Sequence, residues 1–532
     1  MPVWNFAAVW GGLASIVPDR EAIVCGERRV TWGDFADRAR RLSWYLARDA
    51  RLEPGDKVAI DLTNRPEYLE TFFAALLLGC VPVNVNFRYV ADEVHHVLDD
   101  SDAKFVVHGP EQAKAVARAA KRIQRPWRPR LLEVGEPYER ALAGASPPEV
   151  APRAPSGDDL IFLYTGGTTG MPKGVMWRNE DLYVGLWAVS HPDRPDPSDP
   201  LEAARAGKRT GIMLPVAPLM HGTGLNVALA TLAGGGTVVL IDQPGLDAEL
   251  VWDTVEREHV EMLTLVGDVF ARPLLAALDS HPGRWDISGL RGITSSGVLF
   301  SPDTKRALLA HLSGLTIIDT LGASEGLGPS NTSRAGDATN EPARFRISER
   351  VHVFDEHTGR DVTPGSDEIG LVAMGGHLPI GYYNDPARTA ATFRVIGGER
   401  YSIPGDYATV DVDGTVRLLG RGSASINTGG EKVYPEEVEL VLRKHASVFD
   451  CVVLGVPDPR FGEKVVALIQ VTEGHYLDEA ELAAWGRTKL AGYKAPRRFL
   501  FVDTIERSAA GKAPHQKLRA LAIAHLSVAP TA

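Results

Sequence analysis

Extended and helical segments alternate through the first part of the chain, and this alternation constrains the fold more than any other feature. The turn Pro54-Gly55-Asp56 precedes an apolar extended segment over 57–62. A helical pattern near 67–78 and a second extended segment over 81–85 follow it. Strands that are separated by helices pack as α/β layers around largely parallel sheets. We therefore predict an α/β fold, in which Thr31 is the N-cap of an earlier helix.

The length and local composition of the chain predict two domains. Its 532 residues exceed what one hydrophobic core usually organises. Near residue 420 the sequence becomes glycine-rich, over 418–423, and a helix start follows at Tyr434-Pro435-Glu436-Glu437. We predict a large N-terminal domain of layered α/β subdomains over 1–420. A small, mobile α+β domain over 421–532 is expected to follow it across a glycine hinge.

Charge, cysteine content and hydropathy exclude several classes of protein. The formal net charge of -11 does not provide the basic footprint of a nucleic-acid-binding protein. The three cysteines, Cys25, Cys80 and Cys451, are too dispersed for a disulfide framework or a zinc site. The longest apolar run, over 72–83, is shorter than the roughly 20 residues that span a bilayer. We predict a cytoplasmic protein with small-molecule partners, and a homodimer as its expected assembly.

A glycine-rich loop follows the apolar segment 160–164. It reads Thr165-Gly166-Gly167-Thr168-Thr169-Gly170-Met171-Pro172-Lys173-Gly174. Glycines permit a close approach of the backbone to a ligand, and hydroxyl and N–H groups donate to phosphate oxygens. A Walker A loop is excluded because Met171-Pro172 separates the lysine from the preceding glycine. The predicted phosphate-binding residues are Thr165, Gly166, Gly167, Thr168, Thr169, Gly170 and Lys173.

Six further motifs follow in order along the chain. They are Pro218-Leu219-Met220-His221-Gly222, Ser295-Ser296-Gly297-Val298, Asp319-Thr320-Leu321-Gly322-Ala323-Ser324-Glu325, Pro404-Gly405-Asp406, Gly420-Arg421 and Arg507-Ser508-Ala509-Ala510-Gly511-Lys512. Together with the glycine-rich loop, they resemble the motifs of the adenylate-forming superfamily. That superfamily includes acyl-CoA synthetases, luciferases and the adenylation domains of peptide synthetases. The resemblance covers nearly the whole chain and implies the fold of these enzymes.

The resemblance also implies a role for each motif. His221 and Gly222 border the acyl pocket, while Ser296, Gly297 and Val298 pass between adenine and the acyl group. Asp319, Thr320 and Leu321 precede Ser324, whose hydroxyl contacts phosphate, and Glu325, which binds Mg²⁺. Asp406 accepts the ribose hydroxyls, since one carboxylate can accept two hydrogen bonds. Arg421 contacts ribose or phosphate, and Lys512 is the lysine of adenylation.

Four positions depart from the family pattern. Gly166 stands where a serine is usual, and Leu321 stands where an aromatic side chain usually stacks on adenine. Pro404 replaces a threonine, and Ser423 occupies a hinge position that is usually Asp or Lys. We expect an apolar contact with adenine at Leu321 and a hinge at Ser423 that still rotates.

Three longer strings narrow the resemblance. Residues 164–178, 401–407 and 420–439 are similar to the actinobacterial fatty-acyl-CoA synthetases that include steroid side-chain ligases. This resemblance implies that Gly429, Gly430 and Glu431 lie beside the pantetheine of CoA. The expected ligands are therefore ATP, Mg²⁺ and CoA, and the substrate is a fatty or bulky carboxylic acid.

The acyl pocket is predicted by position. Its expected lining is His221, Gly222, Thr223, Val266, Gly267, Asp268 and Gly322, together with Ser296, Gly297 and Val298. Several of these residues are small, which suggests room for a long or bulky acid. Asp268 has a second interpretation as a cap of a helix over 269–278.

Two other functions remain open at this stage. The segment Gly322-Ala323-Ser324-Glu325-Gly326 fits the G-x-S-x-G elbow of α/β serine hydrolases, and an extended segment over 315–319 precedes it. An amide synthetase would share the adenylation step and transfer the acyl group to an amine. A requirement for ATP, Mg²⁺ and CoA distinguishes the ligase from the hydrolase, and the choice of acceptor distinguishes it from the amide synthetase.

Overall fold

The computed structural model describes most of the chain, in two compact units. The described residues are 3–147, 153–165, 171–191, 197, 199–208, 211–297, 300–312, 314–337, 345–421, 426–428, 431–458, 462–490, 492–508 and 511–528. The first unit contains Met1–Ala343 with Met374–Ser402, and the second contains Arg344–Ala373 with Ile403–Ala532. Residues 403–420 thus belong to the second compact unit. The predicted boundary at residue 420 concerns which segments move together, and it stays a prediction.

The first unit contains two large sheets. Within the described residues, one sheet has eight strands, in the spatial order Gly326–Arg334, Thr316–Ala323, Gly292–Ser295, Met262–Leu265, Ile212–Pro215, Thr237–Leu240, Glu21–Cys25 and Arg28–Thr31. The other has seven, in the order Gly381–Tyr382, Lys173–Arg178, Leu160–Thr165, Val81–Asn84, Lys57–Asp61, Ala103–His108 and Arg130–Glu133. The middle strands of both sheets pair parallel. The eight-stranded sheet is antiparallel at both ends, whereas the seven-stranded sheet is antiparallel only at the end that contains Gly381–Tyr382 and stays parallel at Arg130–Glu133. The strands Phe393–Ile396 and Glu399–Ser402 form a hairpin, and Ser402 of that hairpin pairs antiparallel with Met374.

Helices of the first unit connect and cover these strands. They are Phe6–Ile16, Trp32–Arg48, Pro66–Leu78, Ala91–Asp100, Ala113–Lys121, Glu136–Ala143, Asn179–Ser190, Glu202–Arg205, Gly222–Ala233, Ala248–Arg257, Gly267–Ser280, Pro302–His311 and Pro386–Thr392, with a 3₁₀ turn at Pro110–Gln112. The core is rich in aromatic side chains, and the Trp10 ring lies 5.1 Å from that of Phe73. No helix within the described residues combines the length and apolar character needed to cross a membrane.

The second unit contains two smaller sheets. Strands Phe345–Arg346, Thr415–Arg421, Asp406–Val410 and Gly370–Met374 lie side by side in this order, and Val351–Phe354 pairs with the last of them. The other sheet contains Glu431–Val433, Ile426–Thr428, Gly462–Val471 and Val448–Asp458, with Arg498–Phe501 paired to Gly462–Val471. The helices are Pro435–Leu442, Glu479–Arg487 and His515–Val528. Proline at the first helical position begins Pro435–Leu442 where the sequence predicts it.

The predicted α/β class is confirmed, and so are the local elements on which it was based. The first strands and helix form at Lys57–Asp61, Pro66–Leu78 and Val81–Asn84, each within a residue of its expected end. Thr31 caps its helix, because its hydroxyl accepts a hydrogen bond from the Asp34 N–H at 3.1 Å.

Asp61 gives the first unit a pH-dependent stability. Its side chain is 1% exposed, and among the described residues its Oδ1 has no hydrogen-bond partner. Burial raises the pKa of Asp61 to about 8, whereas an aspartate in an unfolded chain titrates near ~4. The folded protein therefore holds a proton that the unfolded chain releases, and stability falls as the pH rises from about 4 to about 8. We expect Asp61→Asn to remove this decline from urea midpoints measured at pH 5 and pH 8.

The matched control for Asp61 is Asp158→Asn, at a carboxylate whose side chain is 78% exposed. This variant should keep the pH dependence of the unmodified protein. An equal decline in both variants would show that Asp61 is not its cause.

Candidate active site

The two strands that flank the glycine-rich loop are described, and they form a hairpin. Leu160–Thr165 and Lys173–Arg178 pair antiparallel, with Thr165 opposite Lys173. The Lys173 ammonium lies 3.7 Å from the Asp385 carboxylate. Five predicted phosphate contacts, Gly166, Gly167, Thr168, Thr169 and Gly170, lie outside the described residues.

Asn84 joins the start of this loop to the motif that contains His221. Its amide nitrogen donates to the carbonyl oxygens of Tyr164 at 2.9 Å and Met220 at 2.6 Å. Its amide oxygen accepts from the Tyr164 N–H at 2.6 Å. Sequence reasoning missed this residue, although a buried asparagine at the end of an apolar strand needs partners and therefore marks a link between elements.

Several residues of the predicted acyl pocket come together in the structure. His221 precedes the helix Gly222–Ala233 as its N-cap residue. Within the first turn of this helix, the Thr223 hydroxyl lies 2.8 Å from that of Ser296. A Cβ atom on Gly297 would lie within 4 Å of Val266 and Thr223. These contacts bring residues of three predicted pocket segments to one place, while Val298 lies outside the described residues.

Asp268 plays a different local role from the helix cap suggested by its sequence position. The helix begins at Gly267 after Val266, and no side chain caps it. The Asp268 carboxylate instead accepts hydrogen bonds from the N–H and hydroxyl of Ser301, at 2.9 and 3.1 Å. Ser301 in turn caps the helix Pro302–His311. The capping interpretation was wrong because the partner of Asp268 is distant in sequence.

The strand Thr316–Ala323 carries the predicted adenine-side residues. Asp319 is buried and forms an ion pair with the buried Lys305. Burial raises the pKa of Asp319, and the positive charge of Lys305 opposes that shift. The Thr320 hydroxyl lies 3.1 Å from that of Ser330. Contacts of Asp319, Thr320 and Leu321 with a nucleotide stay predictions.

Ser324 and Glu325 form the tight turn after this strand. Ala323 pairs with Gly326, so the two residues connect antiparallel strands directly. Trp177 donates its indole N–H to the Ser324 carbonyl oxygen at 2.9 Å. Tyr382 donates its hydroxyl to Glu325 Oε1 at 2.6 Å. The turn is therefore fixed by two aromatic donors, neither of which the sequence patterns identified.

The second unit contains the remaining predicted residues. Asp406 begins a strand and pairs with Arg421, whose backbone alone is described. Gly405 before it has φ +99, a conformation that favours glycine. Glu431 pairs with Thr428, while Gly429, Gly430 and residues 422–425, which include the predicted hinge residue Ser423, lie outside the described residues.

Lys512 lies on a short loop that is held by its neighbours. The Ser508 N–H donates to the Lys512 carbonyl oxygen at 2.8 Å, and the Ser508 hydroxyl accepts from the Lys512 N–H at 3.1 Å. Arg507 donates to the Gly511 carbonyl oxygen at 3.0 Å and forms a two-armed ion pair with Asp450 at 2.6 and 3.0 Å. The backbone of the loop is thus supported independently of the lysine side chain, which is exposed.

Comparison with known proteins identifies the family. The model of the AMP-binding enzyme family matches residues 14–383, and that of the AMP-binding enzyme C-terminal domain matches residues 437–512. The first match alone covers more than half of the chain. The chain belongs to the AMP-binding enzyme family.

Individual relatives of this AMP-binding enzyme are similar over nearly their full length. The medium/long-chain fatty acid–CoA and 3-oxocholest-4-en-26-oate–CoA ligase of Mycobacterium marinum is 41% identical, over 93% of this chain and 92% of its own. The 3-oxocholest-4-en-26-oate–CoA ligase of Rhodococcus rhodochrous is 40% identical, over 96% and 94%. A crystal structure of an anthranilate CoA ligase with anthranoyl-AMP matches with a TM-score of 0.85 at 23% identity, over 99% of both chains. The last match concerns the fold alone.

These findings confirm the predicted family and the predicted enzyme class, an AMP-forming acid–thiol ligase. The hydrolase alternative also fails on geometry. A nucleophile elbow connects a strand to a helix, whereas Ser324 lies in a turn between two antiparallel strands. The amide synthetase is not favoured by the relatives, which are CoA ligases by name.

The carboxylate of Glu325 suits a magnesium ion that also binds a nucleotide. Mg²⁺ in such sites is usually held by one or two carboxylates together with substrate phosphates and water. No group of three or more His, Cys, Asp or Glu side chains forms a metal site in the described part of the chain. The role of Glu325 as the ligand of a cation that binds with ATP stays a prediction. Burial and the charge of Glu325 raise the pKa of Tyr382, so its hydroxyl is protonated at neutral pH.

Proposed function

We propose that the protein is an ATP-dependent acyl-CoA synthetase for fatty or steroid side-chain acids. The similarity that carries this proposal extends over more than nine-tenths of both chains and reaches ligases whose names specify CoA and such acids. A structural contact supports the ATP-dependent step. Trp177, on the hairpin that flanks the predicted phosphate loop, donates a hydrogen bond to the turn that carries Glu325.

The first half-reaction forms the acyl-AMP. One carboxylate oxygen of the acid attacks the α-phosphorus of ATP, a new P–O bond forms, and pyrophosphate leaves with the electrons of the broken bond. Both reactants are anionic, so fixed positive charge must stabilise the transition state. In this proposal Lys173 and Lys512 supply that charge. Glu325 would hold Mg²⁺, which when bound neutralises phosphate charge.

The second half-reaction transfers the acyl group to CoA. The thiol loses its proton, sulfur attacks the acyl carbonyl carbon, and AMP leaves as the C–O bond breaks. Gly429, Gly430 and Glu431 are proposed to lie on the CoA side. Asp406 is proposed to accept hydrogen bonds from the ribose hydroxyls of the nucleotide, and Arg421 is proposed to contact its ribose or phosphate.

The acyl pocket is proposed to lie around the contact between Thr223 and Ser296. Gly222, Gly267 and Gly322 belong to the predicted lining and have no side chain beyond hydrogen. Such residues leave volume for a bulky acid, which agrees with the steroid acids in the relatives' names. A cytoplasmic location and a homodimeric assembly stay predictions.

A pyrophosphate-release screen tests the proposed function. We expect release with ATP, Mg²⁺ and either a long-chain fatty acid or a sterol side-chain acid, and a thioester when CoA is added. Benzoate serves as the control, because a small aryl acid leaves a roomy apolar pocket unfilled and should react at least about tenfold more slowly.

A second arm of the same screen offers simple amines in place of CoA. Amide formation at a rate that matches thioester formation would contradict the assignment of CoA as acceptor. Failure of every acid to release pyrophosphate would contradict adenylation itself.

A further inference from the structure

A short segment of the first unit lies along the strand that leaves the phosphate loop. This segment, residues 381–392, begins with the strand Gly381–Tyr382, which pairs antiparallel with Lys173–Arg178. The N–H of Tyr383 then donates to the Gly174 carbonyl oxygen at 2.8 Å. The segment is therefore hydrogen-bonded to the hairpin that carries the loop.

Tyr382 connects this segment to Glu325. Its hydroxyl donates to Glu325 Oε1 at 2.6 Å, and the residue is only 5% exposed. The backbone N–H of Tyr382 donates to the Thr389 hydroxyl oxygen at 2.9 Å. The Arg388 guanidinium lies 5.2 Å from the centroid of the Tyr382 ring. Because both the backbone and the ring are held, the hydroxyl has a fixed position.

The backbone of the turn is fixed from the same hairpin. Trp177, on Lys173–Arg178, is fully buried and binds the Ser324 carbonyl oxygen. The peptide and the carboxylate of the turn are thus held by two different donors, both attached to the strand that follows the phosphate loop. This arrangement sets the position of Glu325 relative to the strand Lys173–Arg178.

The segment also reaches Lys173 at its other end. Asp385 accepts a hydrogen bond from the Arg388 N–H at 3.0 Å and so caps the helix Pro386–Thr392. Its second carboxylate oxygen lies 3.7 Å from the Lys173 ammonium. Residues 381–392 therefore contact both the predicted phosphate-binding lysine and the predicted metal-binding carboxylate.

We propose that Tyr382 is a positioning residue that orients the Glu325 carboxylate toward the cation of the ATP complex. This inference rests on the proposed adenylation. A carboxylate in a two-residue turn can adopt several rotamers, and only some of them place an oxygen toward a bound cation. The tyrosine hydroxyl supplies a single hydrogen bond, so the carboxylate keeps acceptor capacity for the cation.

The test compares Tyr382→Phe with Tyr383→Phe. Both variants lose one hydroxyl that donates to a carboxylate, but Tyr383 donates to Asp102, at 2.7 Å, outside the predicted site. Binding of ATP is measured by calorimetry without any acid, once with Mg²⁺ and once with EDTA. We expect Tyr382→Phe to weaken binding in Mg²⁺ about tenfold, the scale of one hydrogen bond to a charged group, and to leave binding in EDTA unchanged.

The same variants are assayed for pyrophosphate exchange over a range of Mg²⁺ concentrations. Tyr382→Phe should raise the half-saturating Mg²⁺ concentration and leave the KM of the acid unchanged, while Tyr383→Phe should change neither. Melting temperatures establish that both variants fold. An equal Mg²⁺ dependence in the two folded variants would overturn the positioning role.

Glu325→Ala separates this inference from the proposed function. If it binds ATP in Mg²⁺ as the unmodified protein does, the assignment of Glu325 to the cation fails, and the positioning role fails with it. If it loses the Mg²⁺ dependence while Tyr382→Phe keeps it, only the positioning role fails.

Discussion

Replacement of Lys512 by alanine should abolish acyl-AMP formation and leave thioester formation from supplied acyl-AMP largely intact. An ammonium placed against the charge that develops in the transition state contributes about 10²–10³-fold in rate, and we expect at least this loss in pyrophosphate exchange. The thiol transfer releases AMP and has no pyrophosphate to expel, so it should change by less than about threefold.

The structure makes this substitution a specific one. Arg507, Asp450 and Ser508 hold the loop through backbone and side-chain contacts that do not involve the lysine ammonium. The loop should therefore keep its conformation when only the charge is removed. Lys517→Ala is the matched control. Lys517 lies close to Lys512 in the sequence, its side chain is 65% exposed, and it pairs with Glu506. Equal losses of rate in both half-reactions of Lys512→Ala would refute the prediction that Lys512 acts only in acyl-AMP formation.

The elements of the fold were predictable where local sequence decides them. Glycine and proline bounded the early strands, and the capping hydroxyl of Thr31 and the proline at 435 marked helix starts. Each of these effects acts within a few residues, so it can be read from the sequence without the fold. The family motifs then supplied the order of the larger architecture, which the α/β sheets of the first unit confirm.

The contacts that organise the site were not predictable in the same way. Asn84 binds Tyr164 and Met220, which are 80 and 136 residues away. Tyr382 reaches Glu325 across 57 residues. No periodicity or spacing rule connects such pairs, because the sheet topology brings them together. The wrong interpretation of Asp268 has the same origin, since its partner Ser301 lies 33 residues along the chain.

The structure supports a clear expectation for Glu325. Glu325→Ala should lower adenylation by about 10²–10³-fold, because it removes the carboxylate proposed to hold Mg²⁺ against the phosphates of ATP. The response to Mg²⁺ should change as well, and a higher concentration should be needed for half-maximal rate. The measurement is pyrophosphate exchange at fixed ATP over a range of Mg²⁺ concentrations.

The fold should tolerate this change. Trp177 holds the turn through the Ser324 carbonyl oxygen, and the strands on either side pair directly through Ala323 and Gly326. Glu136→Ala provides a control at a glutamate whose side chain is 84% exposed, and it should leave both the rate and the Mg²⁺ response unchanged. A Glu325→Ala protein with a normal melting temperature, a normal rate and an unchanged Mg²⁺ midpoint would remove this carboxylate from the proposed site. Because Tyr382 would then donate to a group with no part in cation binding, its own role would reduce to packing.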